Sequence, residues 1–316
     1  MSLLARPAVA SFAAKAMQRL VLVARRADRQ GAEAAPLSPF PEFPRHIREL
    51  TIPTSVAPAR VVVYMPTTEG APPPVHVNFH GGGYVMPLTE MDDPFCRYVA
   101  AEAGVAVINV DYALAPQHRF PAPPRQAFEV VRWIASQGAE QGWDGSRLSV
   151  GGQSAGGGIA AAVARQALEQ GGPSIALQVL HYPPLDLATS ARDKRAAVAK
   201  PMLRPWMADI FDSAYVPDPR ERADRLVSPA NPADAADLKG IAPALVITAE
   251  FDLLRAEGER YAERLRKAGA LVEHHDVPKA DHGYDGKDIE KARQTYGLIA
   301  RHVRRATEPG TSASAE

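Results

Sequence analysis

Apolar positions along the chain follow two periods. Short runs, most of them continuous and rich in β-branched residues, cover Arg60 to Met65, Val75 to Phe79, Val105 to Val110, Leu148 to Gly151, Ile175 to Tyr182, Ala244 to Ala249 and Leu271 to Asp276. From Val75 onward they alternate with stretches of helical spacing: Pro94 to Ala103, Arg125 to Gln137, Ala155 to Glu169, Arg255 to Lys267 and Lys287 to Arg305. Mostly apolar strands alternating in this way with helices predict a parallel sheet covered on both faces. His46 to Thr51 predicts an added antiparallel strand, whose pairing Pro53 would end because proline has no amide hydrogen to donate.

Two regions break the alternation. Near the start, Val9, Phe12, Ala13, Ala16, Met17, Leu20 and Val23 repeat at helical spacing beside Arg6, Lys15, Arg19, Arg25 and Arg26, which predicts a basic amphipathic helix with a proline-rich exit, Pro36 to Pro44. The charges interrupt what would be the core of a secretory signal, so the helix is expected to pack on the main domain, with weak adsorption to a lipid surface as the alternative. The second region is an insertion from Pro183 to about Pro232, rich in charge and proline, in which Leu203, Trp206, Met207, Ile210, Phe211 and Tyr215 form one apolar stripe.

Composition narrows the function. A chain of 316 residues with 46% apolar content can bury a sizeable core. Basic and acidic residues balance at 36 each, so nothing points to a nucleic-acid partner. No apolar run is long enough to cross a bilayer. The single cysteine, Cys96, fits a reducing, cytoplasmic setting and reads as a small apolar side chain. Cys/His spacing of the metal-binding kind is absent, and neither a metal nor another cofactor is expected.

The chemistry gathers at strand ends. Gly152, Ser154 and Gly156 form G-x-S-x-G between a strand and an Ala-rich helix, the sharp turn that lifts a serine hydroxyl above a sheet. The first amide of the following helix, that of Ala155, would point at the same place and favour negative charge there. Such a serine needs a base, and the base an orienting carboxylate, on loops at the carboxyl ends of strands. Asp252 follows one late strand and His282 the next, so both fall on neighbouring loops at the same sheet edge.

The other histidines are poorer candidates. His274, His275, His46, His76 and His181 lie within or beside strands, His302 lies in the last helix, and His118 sits in a proline-rich loop before Ser154. His80 instead heads His80-Gly81-Gly82-Gly83, where three glycines expose backbone amides of the kind that stabilise an oxyanion.

With these motifs in order, the chain resembles the hormone-sensitive-lipase family of α/β-hydrolases, the bacterial esterases with an HGGG loop. The resemblance runs from about Val61 to Ala306 and rests on His80 to Gly83, Asp111 to Pro116, Gly152 to Gly157, Asp252 to Arg255 and His282 to Tyr284. It implies an α/β-hydrolase fold, with a mostly parallel central sheet, helices on both faces and a helical cap. It divides the chain into a core of residues 45–185 and 231–306, a cap insertion 186–230, an N-terminal cap helix 1–44 and a disordered tail 307–316.

The implied activity is serine carboxylic ester hydrolysis through an acyl-enzyme. Ser154 is the implied nucleophile, His282 the base and Asp252 its partner; the amides of Gly82, Gly83 and Ala155 form the oxyanion hole, supported by His80 and Gly81. Tyr84, Leu185, Trp206, Met207 and Phe211, with Met86, Leu88, Met202 and Leu203, are candidates for lining a pocket for short to medium acyl chains. The same machinery could cleave amides, carbamates or thioesters. The related plant gibberellin receptors lack the catalytic histidine, whereas His282 is present here. A homodimer pairing the last strand and helix is compatible with the family, although Leu271 to Arg305 carries no decisive signal for it.

The chain departs from the family pattern at Gln153, Ala113, Gln117 and Ala256, all uncharged where charge is usual. This predicts that an ionic network behind the serine turn has given way to packing and amide hydrogen bonds.

Overall fold

The computed structural model describes residues 3–31, 39–67 and 70–309, with backbone alone for 25–31. The tail from residue 310 and the first residues of the proline-rich exit, 36–38, lie outside the described residues.

The chain opens with helix α1 (Pro7–Gly31), followed by strands β1 (Ile47–Ile52) and β2 (Ala59–Tyr64). The alternating part then runs β3 (Pro74–Phe79), α2 (Asp93–Ala103), β4 (Ala106–Asp111), α3 (Ala122–Gln141), β5 (Asp144–Gln153), α4 (Ala155–Gln170) and β6 (Leu177–His181). Helix α5 (Pro205–Tyr215) interrupts it before β7 (Ala244–Ala249), α6 (Arg255–Lys267), β8 (Leu271–Val277) and α7 (Ile289–Thr307).

The eight strands form one sheet in the order β1-β2-β4-β3-β5-β6-β7-β8. β1 pairs antiparallel with β2, and β2 antiparallel with β4; from β4 across to β8 every pairing is parallel.

Alternation along each strand splits the interior into two cores. Val75, Val77, Phe79, Ile108 and Val150 face one side, where α3, α4 and α6 pack. Val107, Val179, Leu245 and Ile247 face the other, against α2 and α7. Two buried faces explain why these strands read as continuous apolar runs.

Most elements lie within a few residues of the sequence reading; α3 departs furthest, running past Gly138 to Gln141. A Cβ at residue 138 would stand 2.6 Å from the amide nitrogen of Gly145, so this glycine lets the start of β5 approach the helix rather than ending it.

The buried face of α1 also differs from the apolar face predicted for it. Ala10, Ala14 and Gln18 are the buried positions, while Phe12, Leu20 and Val23 are exposed. Small residues let α1 approach α5 closely, and Gln18 supplies a polar anchor: its Nε2 donates to the carbonyls of Val85 and Ala115, each at 2.9 Å. Gln117 Nε2 donates back to Gln18 Oε1 at 2.8 Å, and the Ala113 amide donates to Gln126 Oε1 at 2.6 Å. Amide side chains thus meet around residues 113 and 117, two of the positions that are uncharged here.

Candidate active site

The serine turn sits at the centre of the sheet, where Gly152 is paired with Phe79 of β3 on one side and Leu180 of β6 on the other. Ser154 holds φ 52° and ψ −123°, a left-handed conformation that costs a serine about 1–3 kcal/mol. The turn survives because its neighbours are bare. A Cβ on Gly152 would lie 2.4 Å from the Phe79 carbonyl oxygen, and one on Gly156 would overlap that oxygen at 1.8 Å. Side chains at either position would push the turn off the end of β3, and the Ser154 amide adds a 2.9 Å bond to the His181 carbonyl.

Asp252 and His282 arrive from the loops after β7 and β8. The Phe251 amide donates to the Ala280 carbonyl at 2.8 Å, which binds the two loops together. His282 Nδ1 lies 2.8 Å from Asp252 Oδ2, and His282 Nε2 lies 2.9 Å from Ser154 Oγ. The Asp252 carboxylate can only accept, so Nδ1 carries the proton and Nε2 is left to accept from the serine hydroxyl. Asp252 Oδ1 accepts from the Leu254 amide at 3.0 Å, which fixes the carboxylate.

The Asp252 side chain is 1% exposed and that of His282 13%. Burial opposes a charge on His282, but the Asp252 carboxylate outweighs it, with Asp285 and Asp281 adding to the attraction, and the imidazole pKa stands above its ordinary value. Burial drives the other central histidines the opposite way: His181, bonded to the Tyr284 hydroxyl, falls to about 4 and His76 to about 3. They stay neutral where His282 can take a proton.

The His80 to Gly83 loop abuts the serine, since a Cβ on Gly81 would stand 3.7 Å from the Ser154 Cβ. Its entry is held by the Tyr112 hydroxyl, which donates to the His80 carbonyl at 3.0 Å, and by stacking of the two rings at 4.5 Å. Gly82 and Gly83 have φ of 115° and 61°. Ala155 opens α4, so its amide is one of the helix's unsatisfied N–H groups, available to a developing negative charge.

Ser154 and His282 line a cavity of about 380 Å³. Tyr84, Met86, Leu88, Leu203, Met207 and Phe211 supply much of its apolar wall, and Met202 also borders it. Two expected lining residues lie elsewhere. Trp206 is 48% exposed, because one residue's rotation along α5 turns it away from the face that carries Met207 and Phe211; Leu185 is packed into the core.

The sequence reading passed over polar groups that do border the cavity, among them Asp92, Lys194, Asp212 and Asp285. Charge inside a charge-rich insertion reads as solvated surface, so no sequence signal set Lys194 and Asp212 apart. Among the described residues, no group of three or more His, Cys, Asp or Glu side chains is arranged to hold a metal ion. The arrangement suits attack on a carbonyl by a serine whose proton passes to His282.

Comparison with known proteins agrees with this geometry. A family model described as the alpha/beta hydrolase fold matches residues 76–285. The chain is 36% identical over 264 residues to the esterase LipI of Mycobacterium tuberculosis, covering 79% of each protein. It is 39% identical over 225 residues to the carboxylesterase NlhH of the same organism, covering 71% of this chain and 70% of that one. Among solved structures, an esterase of Pyrobaculum calidifontis superposes with a TM-score of 0.80 at 31% identity, over 93% of this chain and 94% of that one.

Proposed function

The chain belongs to the hormone-sensitive-lipase-like carboxylesterase family of α/β-hydrolases, and from that premise we propose that it is a serine carboxylic ester hydrolase acting through an acyl-enzyme on short- to medium-chain esters. Ser154 is the nucleophile. His282 takes its proton as Oγ attacks the ester carbonyl, and Asp252 holds the imidazole tautomer and stabilises the imidazolium. The oxyanion is received by the amides of Gly82, Gly83 and Ala155. His282 returns the proton to the leaving alcohol, then activates the water that releases the acid.

The observation that carries this reading is the unbroken relay from Ser154 Oγ through His282 to Asp252, at 2.9 and 2.8 Å, with the serine held in a strained turn at a cavity wall. Residues 1–44 and 186–230 act as a cap over a core of residues 45–185 and 231–306. Support for the cap comes from the packing of α1 on α5 and from Met207 and Phe211 of α5 at the cavity wall.

The substrate is a small acyl ester. An apolar cavity of about 380 Å³ suits modest acyl chains better than bulky triglycerides. The one thiol, buried Cys96, is consistent with a cytoplasmic setting. Among the described residues no helix is long and apolar enough to cross a membrane. Exposed Phe12, Leu20 and Val23 favour at most weak contact with a lipid surface.

The test is a fluorophosphonate label combined with a panel of matched p-nitrophenyl esters, amides and thioesters of increasing acyl length. A label on Ser154 and ester turnover that falls steeply with chain length are expected. Preference for amides, thioesters or long-chain emulsions would overturn the substrate assignment, and a label elsewhere would overturn the nucleophile.

A further inference from the structure

The cavity that borders Ser154 is apolar over much of its wall but carries, in its insertion-derived part, two charged side chains that the proton relay does not use. Lys194 is nearly buried, its side chain 8% exposed, and its ammonium contacts Glu257 Oε2 at 2.6 Å. Glu257 is fully engaged: its other oxygen accepts from the amides of Leu185 and Asp186 at 2.7 and 3.3 Å. A lysine ammonium has three hydrogens to give, and one ion pair among the described residues leaves donors to spare at the cavity wall.

Asp212, on α5 directly after Phe211, borders the same cavity. Among the described residues its carboxylate accepts no hydrogen bond and makes no ion pair. Burial pushes its pKa up to about 6, against the pull of Lys194 and Arg222. The two groups therefore feel one another's charge without touching.

We infer that Lys194 and Asp212 form a polar subsite that takes a neutral hydroxyl group carried on the ester substrate, the hydroxyl accepting from the ammonium and donating to the carboxylate. This rests on the esterase reading above and names the substrate class for that same site. A hydroxyl both donates and accepts, which is what a separated cation and anion require of a single bridging group. A carboxylate there would face Asp212 and Glu257, and an ammonium would face Lys194, so neither fits as well. A plain methyl group would leave Asp212 desolvated and without a partner and the spare donors of Lys194 unmet, the situation in which a site built for a hydroxyl discriminates against its methyl analogue.

The hydroxyl can sit on the acyl chain or on the alcohol, and the experiment separates these. One ladder of ω-hydroxyacyl p-nitrophenyl esters and one of hydroxyalkyl butyrates are each compared with the ester in which methyl replaces hydroxyl. At one chain length in one ladder, the full-length protein is expected to show kcat/KM about tenfold higher for the hydroxyl ester, the size of a hydrogen bond to a charged group. Asp212→Leu should bring that ratio to about one or below, and Asp212→Asn, which keeps an acceptor and the shape, should lie between.

Fluorophosphonate labelling of Ser154 checks that each variant is folded, and Asp212→Asn carries the comparison if Asp212→Leu does not label. A wild-type ratio of one or less in both ladders overturns the subsite while leaving the esterase intact. So does a ratio above one that the Asp212 variants retain. Failure of the wild type to cleave any ester in either ladder overturns the esterase reading and the subsite with it.

Discussion

The ring of Phe211 lies against the backbone of Gly83, so close that a Cβ at residue 83 would stand 2.5 Å from its Cγ. Gly83 also holds φ 61°, where any side chain is strained. The insertion helix and the glycine loop are thus in direct contact. Gly83→Ala is expected to displace the loop amides and to lower kcat by about 100-fold. Adding Phe211→Ala removes the collision but not the φ strain, so the double variant should recover part of the loss. Full activity in the single variant, measured on a p-nitrophenyl ester, would mean that these amides do not serve the transition state.

Strain at Ser154 sets stability against function. Ser154→Gly relieves the left-handed conformation and is expected to stabilise the protein by about 1 kcal/mol, or to raise Tm by about 2 °C. Ser154→Ala keeps the strain, should fold normally by near-UV circular dichroism, and should lose turnover by about 10⁶-fold. A glycine variant no more stable than wild type would remove strain from the account.

The pH profile follows from His282. As the proposed base it must be neutral, and its raised pKa places the acid limb of kcat/KM above the ordinary histidine value. Asp252→Asn removes the leading attraction and leaves only the weaker pull of Asp285 and Asp281 against burial, so the limb should move to lower pH as kcat falls by about 10⁴-fold. An acid limb at the same pH in both proteins would assign it to another group.

Gln18 offers a test of the N-terminal helix. Gln18→Leu leaves the carbonyls of Val85 and Ala115 without their side-chain donor and is expected to cost about 2 kcal/mol in urea unfolding. Phe12, 76% exposed on the opposite face, should change stability by less than about 0.5 kcal/mol when replaced by serine. Equal effects would mean that the helix is not held through Gln18.

Much of the site could be read before any coordinates. G-x-S-x-G lies at a strand-to-helix junction, and Asp252 and His282 each follow a late strand; a parallel sheet brings such loops to one edge whatever the details of packing. The strand order and the reversed direction of β2 were not legible, because pairing partners are chosen by contacts distant in sequence. Periodicity caught only part of the inner face of α1: of the predicted stripe Ala13 and Met17 pack on the core, but Phe12, Leu20 and Val23 are exposed, and the structure buries Ala10, Ala14 and Gln18.

By itself, then, the sequence determined the order of the elements, the glycine turns and the edge of the sheet where the chemistry gathers, since these depend on local backbone chemistry and on an alternation that any parallel sheet must obey. Only the tertiary structure decided which insertion side chains meet the cavity, turning Trp206 outward and bringing Lys194 and Asp212 to its wall. The physical reason is that an insertion has no sheet to fix its orientation; its faces are chosen by what it packs against, and a charge is costly or cheap to bury only in light of the partner it finds there.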